Sequence, residues 1–584
     1  MKKKYLIPAC LLAITLIAGC GRSSQPQTPD AGADTTTTEA SQSEASTESQ
    51  DAATQEETSD SNGTDIVAAH ESKVPVYKVI TKYYNEFYDG SYKTDKDGNS
   101  LENKRLFESK YQTVMLTDSC KTTYSALYQT LKDKASTELK AAQDYAEATT
   151  KSAKEDLENS IGNDYEFFGP YYNNNTVSIS RADDSILSIC NYGESFMGGA
   201  HGSYGLTGET YDVRTGTELK ITDVLSLTEE ELNPMLKEKI LATSEDEDQF
   251  WDLDDSLSHY KFSPKETDPD DYENYEYPYD WYLDHDGIHF YFGPYAIAAY
   301  AYGATDIVFN YDELKGQFNE KYLPLDEKGY ITALHLPIYP IQYDDDTSDL
   351  HLVYEPYDDT DDSQSITCKS LALKQKAKSA KVAIDFDYDY TINPISSYKV
   401  VTKEGKEYIY VSVLTYSDYT EFIVFDATGG DVKLLGQNYF HMIYIDAGSD
   451  FGGELVLTDP ENMYFGQVGD KLGTYTFYGR YIVGQDGLPM LADTAYTISW
   501  ISQDIKSVKD INVTRIDADG TEHADETLPS GSHITPVRTN NETYMDCQLD
   551  DGSFIRLKFS NKDYPAQIDG ESVDDLFEGL VYAG

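Results

Sequence analysis

The chain has 584 residues, with 46 Lys and Arg against 103 Asp and Glu, and a formal net charge of -57. Such a field repels a phosphate backbone, which excludes nucleic-acid binding, and it disfavours an anionic lipid surface unless a covalent anchor holds the chain there. Length allows about four domains at roughly 150 residues each, and the 50 tyrosines suit half-exposed strands and binding faces.

The N-terminus reads as an address. Lys2, Lys3 and Lys4 precede an apolar run from Leu6 to Ala18, interrupted only by Pro8 and Thr15. The run is too short to span a bilayer comfortably and has the order of a secretory signal peptide. It ends Ile17-Ala18-Gly19-Cys20, which resembles the bacterial lipobox. That resemblance implies lipidation of Cys20, which becomes the new N-terminus of an extracytoplasmic, lipid-anchored (palmitate-bearing) lipoprotein. Two acyl chains give stable attachment at about 0.8 kcal/mol per buried methylene, whereas one holds only marginally. From Gly21 to Asp65 the chain is Ser, Thr, Gln, Ala, Asp and Glu, with almost nothing apolar. It cannot bury enough surface to offset chain entropy, so a disordered acidic tether is expected over 21–65. No later segment has a long uncharged apolar run.

The first folded region, 66–190, opens on a strand from Val74 to Tyr88 and a turn at Asp97-Gly98-Asn99. A helical pattern follows over Leu116 to Leu157, with Tyr124, Leu127, Leu131, Ala135, Leu139 and Ala142 on one face. Asp118 or Ser119 is its expected cap. Strands resume near Tyr172, at Thr176 to Ile179 and at Ile186 to Ile189. The second region, 191–325, begins with Tyr192-Gly193-Glu194-Ser195-Phe196-Met197-Gly198-Gly199-Ala200-His201-Gly202. A strand from Tyr204 to Val213, the turn Arg214-Thr215-Gly216 and a helix from Glu229 to Thr243 come next. After an acidic tract, the run Ile288 to Ala298 and the strand Thr305 to Tyr311 close it.

In this order of elements, the first region resembles the domain that precedes the catalytic domain of PdaC-type peptidoglycan deacetylases. The second resembles the ectodomain of RsiV-type anti-sigma factors, which bind lysozyme. Gly198, Gly199, Ala200 and His201, the following tyrosine and turn, and Phe292-Gly293-Pro294-Tyr295-Ala296-Ile297-Ala298 carry the second likeness. The likeness spans roughly residues 70 to 320 and implies an α+β domain pair that binds an envelope ligand, a cationic lysozyme-like protein or peptidoglycan. Two outputs of those families have no counterpart here. The cytoplasmic arm and membrane helix of an anti-sigma factor are missing, and so is the metal-binding Asp and His pair of a deacetylase. In the Gly198–His201 run the glycines permit positive φ or close backbone approach, and His201 either braces backbone groups or contacts a ligand.

No catalytic cluster, cofactor motif or metal site is nominated. His285 and His289 have the spacing of a helical zinc pair, but Asp286-Gly287 is a turn and the following aromatics favour a strand. Carboxylates are too abundant for any pair to single out a glycosidase. Cys120, Cys190, Cys368 and Cys547 remain after the anchor, with three possible pairings and no C-x-x-C. The tract from Glu245 to Asp280 is read as an exposed solubilising insertion, or else as a face for a cationic protein or sugar.

Beyond residue 325 the pattern turns to β, with a flexible joint expected at 344–365. Strands from Tyr408 to Val413 and Phe422 to Phe425 form a hairpin, and others lie near Tyr475 to Tyr481 and Tyr496 to Ile501. A β-rich domain over 326–500, a sandwich or partial propeller, and a small β domain over 501–584 ending in a short helix at Val573 to Phe577 complete the chain. The reading that follows is an α+β pair and mainly-β C-terminal domains in a cell-surface lipoprotein that binds or senses without catalysing. A wall-polymer enzyme built from unrecognised carboxylates is the alternative.

Overall fold

A computed structural model of the chain describes residues 74–89, 100–161, 167, 169–243, 249–265, 275–324, 329–334, 336–341, 350–356, 366–375, 378–383, 391–414, 420–440, 444–445, 452–500, 504–561 and 564–582. The signal segment, Cys20, the 21–65 tether, the Asp97-Gly98-Asn99 turn and the acidic runs at Tyr343–Asp346 and Tyr357–Asp359 lie outside these residues. Among the described residues no helix is long and apolar enough to cross a membrane. The fold class is the expected one: an α+β N-terminal part, then mainly β structure.

Strands β1 (Tyr77–Phe87) and β2 (Arg105–Leu116) are antiparallel. Helix α1 (Ser125–Ser160) then crosses to β3 (Tyr171–Ala182), which runs parallel to β2. A parallel pair needs a long crossover, and α1 is that crossover. Strands β4 (Ile186–Phe196), β5 (Ser203–Asp212) and β6 (Thr217–Glu218) extend the sheet by antiparallel pairing. The far segments Tyr444–Ile445 and Gly453–Leu455 join its other edge beside β1.

The sequence pattern placed the helix start near Leu116, and this is corrected. Val114, Met115 and Leu116 are buried as the end of β2, a 3-10 turn spans Asp118–Cys120, and α1 starts only at Ser125. Neither Asp118 nor Ser119 caps it; the N-cap Tyr124 makes no side-chain cap bond, and Asp118 instead accepts from the Tyr128 hydroxyl at 2.6 Å. The helix buries Leu127, Leu131, Ala135, Ala142, Ala146, Ala153 and Leu157, a stripe at helical spacing. It covers one face of the sheet: Tyr84 donates to the Leu139 carbonyl, Thr113 to Glu138, Tyr171 to Asp156, and Lys134 pairs with Glu209.

A second unit follows: α2 (Ile221–Val224), α3 (Glu229–Ala242), α4 (Leu253–Ser258), β7 (Tyr260–Lys261), β8 (Tyr277–Pro278), β9 (Asp280–Leu283), β10 (Gly287–Phe292) and β11 (Thr305–Asn310). Thr228 and Glu231 form a capping box at the start of α3. Strands β9, β10 and β11 make a three-stranded antiparallel sheet whose Phe290, Phe292 and Phe309 pack with Leu232, Leu236 and Ile240 of α3.

The acidic tract is not simply a solvated insertion. Leu253, Leu257, Tyr260 and Tyr279 lie in this same core, because Tyr260 and Tyr279 set their rings edge-on to Phe292 and Phe290 at 5.3 and 5.7 Å. Trp251 and Tyr277 remain exposed.

Strand β9 rests on the first sheet, on the face away from α1. A Cβ on Gly208 would stand 1.9 Å from the Trp281 carbonyl oxygen, so only glycine permits this approach. Ser180 donates to the Leu283 carbonyl at 2.8 Å, and Ser188 Oγ accepts from the Leu283 amide at 3.0 Å. Among the described residues the C-terminal half forms a nine-stranded, an eleven-stranded and a two-stranded sheet, and its α-helix is the four-residue Val573–Leu576. Cys120, Cys190 and Cys547 are buried free thiols.

Candidate binding face

Strand register decides what the first sheet carries on its face away from α1, beside the part that β9 covers. Across β3 and β4, Tyr172 stands opposite Phe196, Asn174 opposite Glu194 and Thr176 opposite Tyr192. Across β4 and β5, Glu194 stands opposite Tyr204 and Tyr192 opposite Leu206. Directly paired residues point to the same side of a sheet, and Tyr171, which faces α1, fixes that side as the one away from the helix. The face therefore presents Tyr172, Tyr192, Phe196 and Tyr204 around Glu194. Phe196 stacks on Tyr172 at 5.9 Å, and Asn174 donates to Glu194 at 2.8 Å, which fixes the carboxylate among the rings. Tyr192 is 40% exposed and lies 6.4 Å from Tyr204. Further along the same face Tyr83 of β1 is 66% exposed.

A histidine loop borders this floor. Gly198 and Gly199 have φ of 85° and 113°, which reverse the chain after β4. A Cβ on Gly199 would meet nothing within 4 Å, so that glycine serves conformation rather than space. Ala200 and His201 are exposed. The His201 ring stacks on Tyr300 at 4.0 Å, its Nδ1 lies 2.9 Å from the Gly202 carbonyl, and its Nε2 lies 3.4 Å from the Tyr295 hydroxyl. The Tyr300 hydroxyl donates to the same Gly202 carbonyl at 2.9 Å, tying the loop after β10 to the loop after β4. Tyr295 is 45% exposed with φ of 67°. A left-handed backbone at a tyrosine costs on the order of 1 kcal/mol and collects at functional positions.

The wall of the face is the second sheet. Tyr291 of β10 pairs with Asp280 of β9. Burial pushes the Tyr291 hydroxyl well up, and the neighbouring Tyr192, Tyr204 and Asp280 add to the effect. Burial alone pushes the Asp280 carboxyl up to about 7, so it holds a proton near neutrality.

On the same side of β10 as Tyr291, two residues back along the strand, His289 lies between two carboxylates. Its Nε2 is 3.0 Å from Asp284 and its Nδ1 3.0 Å from Asp306, while Tyr282 stacks on the ring at 4.4 Å and donates to Asp306 at 2.7 Å. Burial disfavours the imidazolium, but the two carboxylate hydrogen bonds outweigh it and push His289 up to about 9. Both nitrogens are then donors, with no lone pair for a metal. His285 faces elsewhere, stacked on Tyr330 at 3.7 Å. The four-residue spacing thus sends the two rings to different partners. Among the described residues no group of three or more His, Cys, Asp or Glu is placed to hold a metal ion.

Of the residues singled out from sequence, Gly198, Gly199, Ala200 and His201 form the rim. Tyr204 follows that run among the features of the second likeness, and Tyr192 and Glu194 stand within the quoted stretch. Neither they nor Tyr172, Tyr300 and Asp280 carry a site role in the sequence reading, and only register and the packing of the two sheets bring them together.

These two units correspond to two known family regions. Residues 100–204 match the family model described as deacetylase PdaC, and residues 222–312 match the protein of unknown function DUF3298. The Gly198–His201 run lies inside the first match, and the Tyr291–Tyr302 wall inside the second. A solved DUF3298-family protein from Bacteroides fragilis is 19% identical, with a TM-score of 0.31, over 42% of this chain and 96% of its own. A DUF3298-family protein from Pseudomonas aeruginosa is 15% identical, with a TM-score of 0.25, over 44% of this chain and 99% of its own. A comparison with curated proteins finds no match.

Proposed function

We propose that the protein is a lipid-anchored, extracytoplasmic binding or sensing module of a bacterial envelope, and that its aromatic face takes a cationic lysozyme-like protein or peptidoglycan. The open ring-lined face supports this most directly. Tyrosine rings offer flat apolar area with a polar tip, and Glu194 among them suits either a basic side chain or sugar hydroxyls. The net charge of -57 raises the encounter rate with a basic partner. The PdaC and DUF3298 matches agree with a place at the envelope, and the protein ligand rests on the sequence resemblance to lysozyme-sensing ectodomains alone. Cys20 is the proposed anchor and 21–65 the tether. Hydrogen exchange of the chain with and without lysozyme or soluble peptidoglycan fragments tests the reading. Slowed exchange is expected over residues 192–204 and 295–302; protection confined to other segments would overturn it.

A second reading rests on Asp280. A carboxyl near 7 can act as a general acid or base at neutral pH, so a wall-modifying enzyme would lose turnover in Asp280→Asn. Release of sugar or acetate from purified peptidoglycan, abolished by that change, would favour this reading over the binder.

A further inference from the structure

Well apart in residue content from the aromatic face, several segments distant in sequence surround a cavity of about 590 Å³. Small-molecule sites fall in the range of roughly 300–1,000 Å³. The approach to β1 supplies Val74, Pro75 and Tyr77, the β3–β4 turn supplies Asp183 and Asp184, and the β9–β10 turn supplies His285. Tyr330, the hairpin Val401–Gly405 and the segment Thr458–Asn462 close the other side.

Two residues of this lining each carry a buried polar atom with no hydrogen-bond partner. Tyr77 is 1% exposed, and its hydroxyl is buried and unpaired. Nε2 of His285 is likewise shielded and unpaired, while Tyr330 stacks on its ring. Orphaned buried polar atoms are unfavourable unless something completes them. Burial, with the Arg181 guanidinium nearby, lowers His285 to about 3, so the ring is neutral. A phenol and a neutral imidazole each pair with hydroxyl groups as donor or acceptor.

The rim sets the charge of the occupant. Asp183, Asp184, Glu404, Asp459 and Glu461 line it against Lys403, which pairs with Glu461 at 3.0 Å. An anion is repelled. The carboxylates do not converge as a metal cage does: Asp183 is held by Arg181 and the amides of Ser185 and Ile186, and Asp459 by the Glu461 amide and Asn462.

We propose that this cavity binds a small polyhydroxylated amine of the amino-sugar class, with hydroxyl groups on Tyr77 and His285 and the ammonium toward the acidic rim. None of its residues belongs to the aromatic face, so the proposal stands or falls separately from the function above.

Calorimetry of the whole chain with glucosamine is the test, with glucose and spermidine as comparisons. Glucosamine should bind saturably at one site, and glucose, which lacks the ammonium, about fivefold to tenfold more weakly. Tyr77→Phe keeps the packed ring and removes only the unpaired hydroxyl, so it should fold with an unchanged or raised Tm and lose about fivefold to tenfold in glucosamine affinity. His285→Gln, from the opposite turn, should weaken binding to a similar degree. Affinity unchanged in both variants would overturn the site. So would no glucosamine binding at millimolar concentration, or spermidine binding as tightly as glucosamine, which would leave rim charge as the sole cause.

Discussion

Replacing His289 by glutamine should remove a pH-dependent part of the stability of the second unit. An unfolded histidine titrates at 6.5, whereas His289 between Asp284 and Asp306 is pushed up to about 9. A raised value means that the folded state holds the proton more tightly. The stabilisation is therefore complete below 6.5 and is lost as pH rises through about 9. At about 1.4 kcal/mol per pH unit the gap corresponds to roughly 3 kcal/mol. Asp306 is 38% exposed and therefore partly screened, which brings the expected effect to about 2 kcal/mol. Urea unfolding followed by tryptophan fluorescence, with Trp281 paired to Phe290 on the neighbouring strand, reads this region. Wild type should lose about 2 kcal/mol more than His289→Gln between about pH 6 and about pH 9.5. Equal pH dependence in the two proteins would show that the carboxylates do not hold the imidazolium.

In the last sheet, Asp546 is fully buried and accepts from Arg538 at 2.7 Å and from Arg556 at 2.6 and 2.9 Å. Asp546→Ala leaves two guanidinium groups without their shared partner and should cost about 3–5 kcal/mol, read as a lowered Tm; an unchanged melt would contradict this. Gly208→Ala places a methyl against the Trp281 carbonyl, so the two sheets must part, at about 1–3 kcal/mol. Wild-type stability in that variant would mean that β9 is not seated there. Cys20→Ala should yield unprocessed or released protein, whereas unchanged mass and membrane fractionation would remove the anchor from the account.

Much of the fold was legible because its signals are local. The period-2 runs of β3 and β5, the turn at Arg214-Thr215-Gly216, and the stripe of α1 from Leu127 to Ala142 each lie within one element. Strand β2 escaped because Arg105–Leu116 mixes charged and apolar residues without clean alternation, and its apolar end merges with the helical stripe. The glycine and histidine loop stood out by composition, since two adjacent glycines before a histidine imply an unusual backbone. The floor it borders did not stand out. With 50 tyrosines in the chain, nothing in the sequence joins Tyr192 and Tyr172 to Tyr204, the tyrosine after the glycine and histidine run, until register places them on one side of three strands. Asp280 was hidden for the same reason among 103 acidic residues, because its elevated carboxyl comes from burial beneath another sheet.

The central claim is that this face recognises its ligand by shape and not by charge alone. Exposed long-range attraction is screened over about 8 Å at physiological ionic strength, whereas a packed interface core persists. Calorimetry at physiological salt, with a cationic lysozyme and an equally basic protein of unrelated shape, separates the two, using wild type and the double variant Tyr192→Ala, Tyr204→Ala. Lysozyme should bind wild type, lose at least about tenfold in affinity to the double variant, and leave the control protein unbound. Equal weak binding of both basic proteins to both forms, vanishing as salt rises, would contradict the claim.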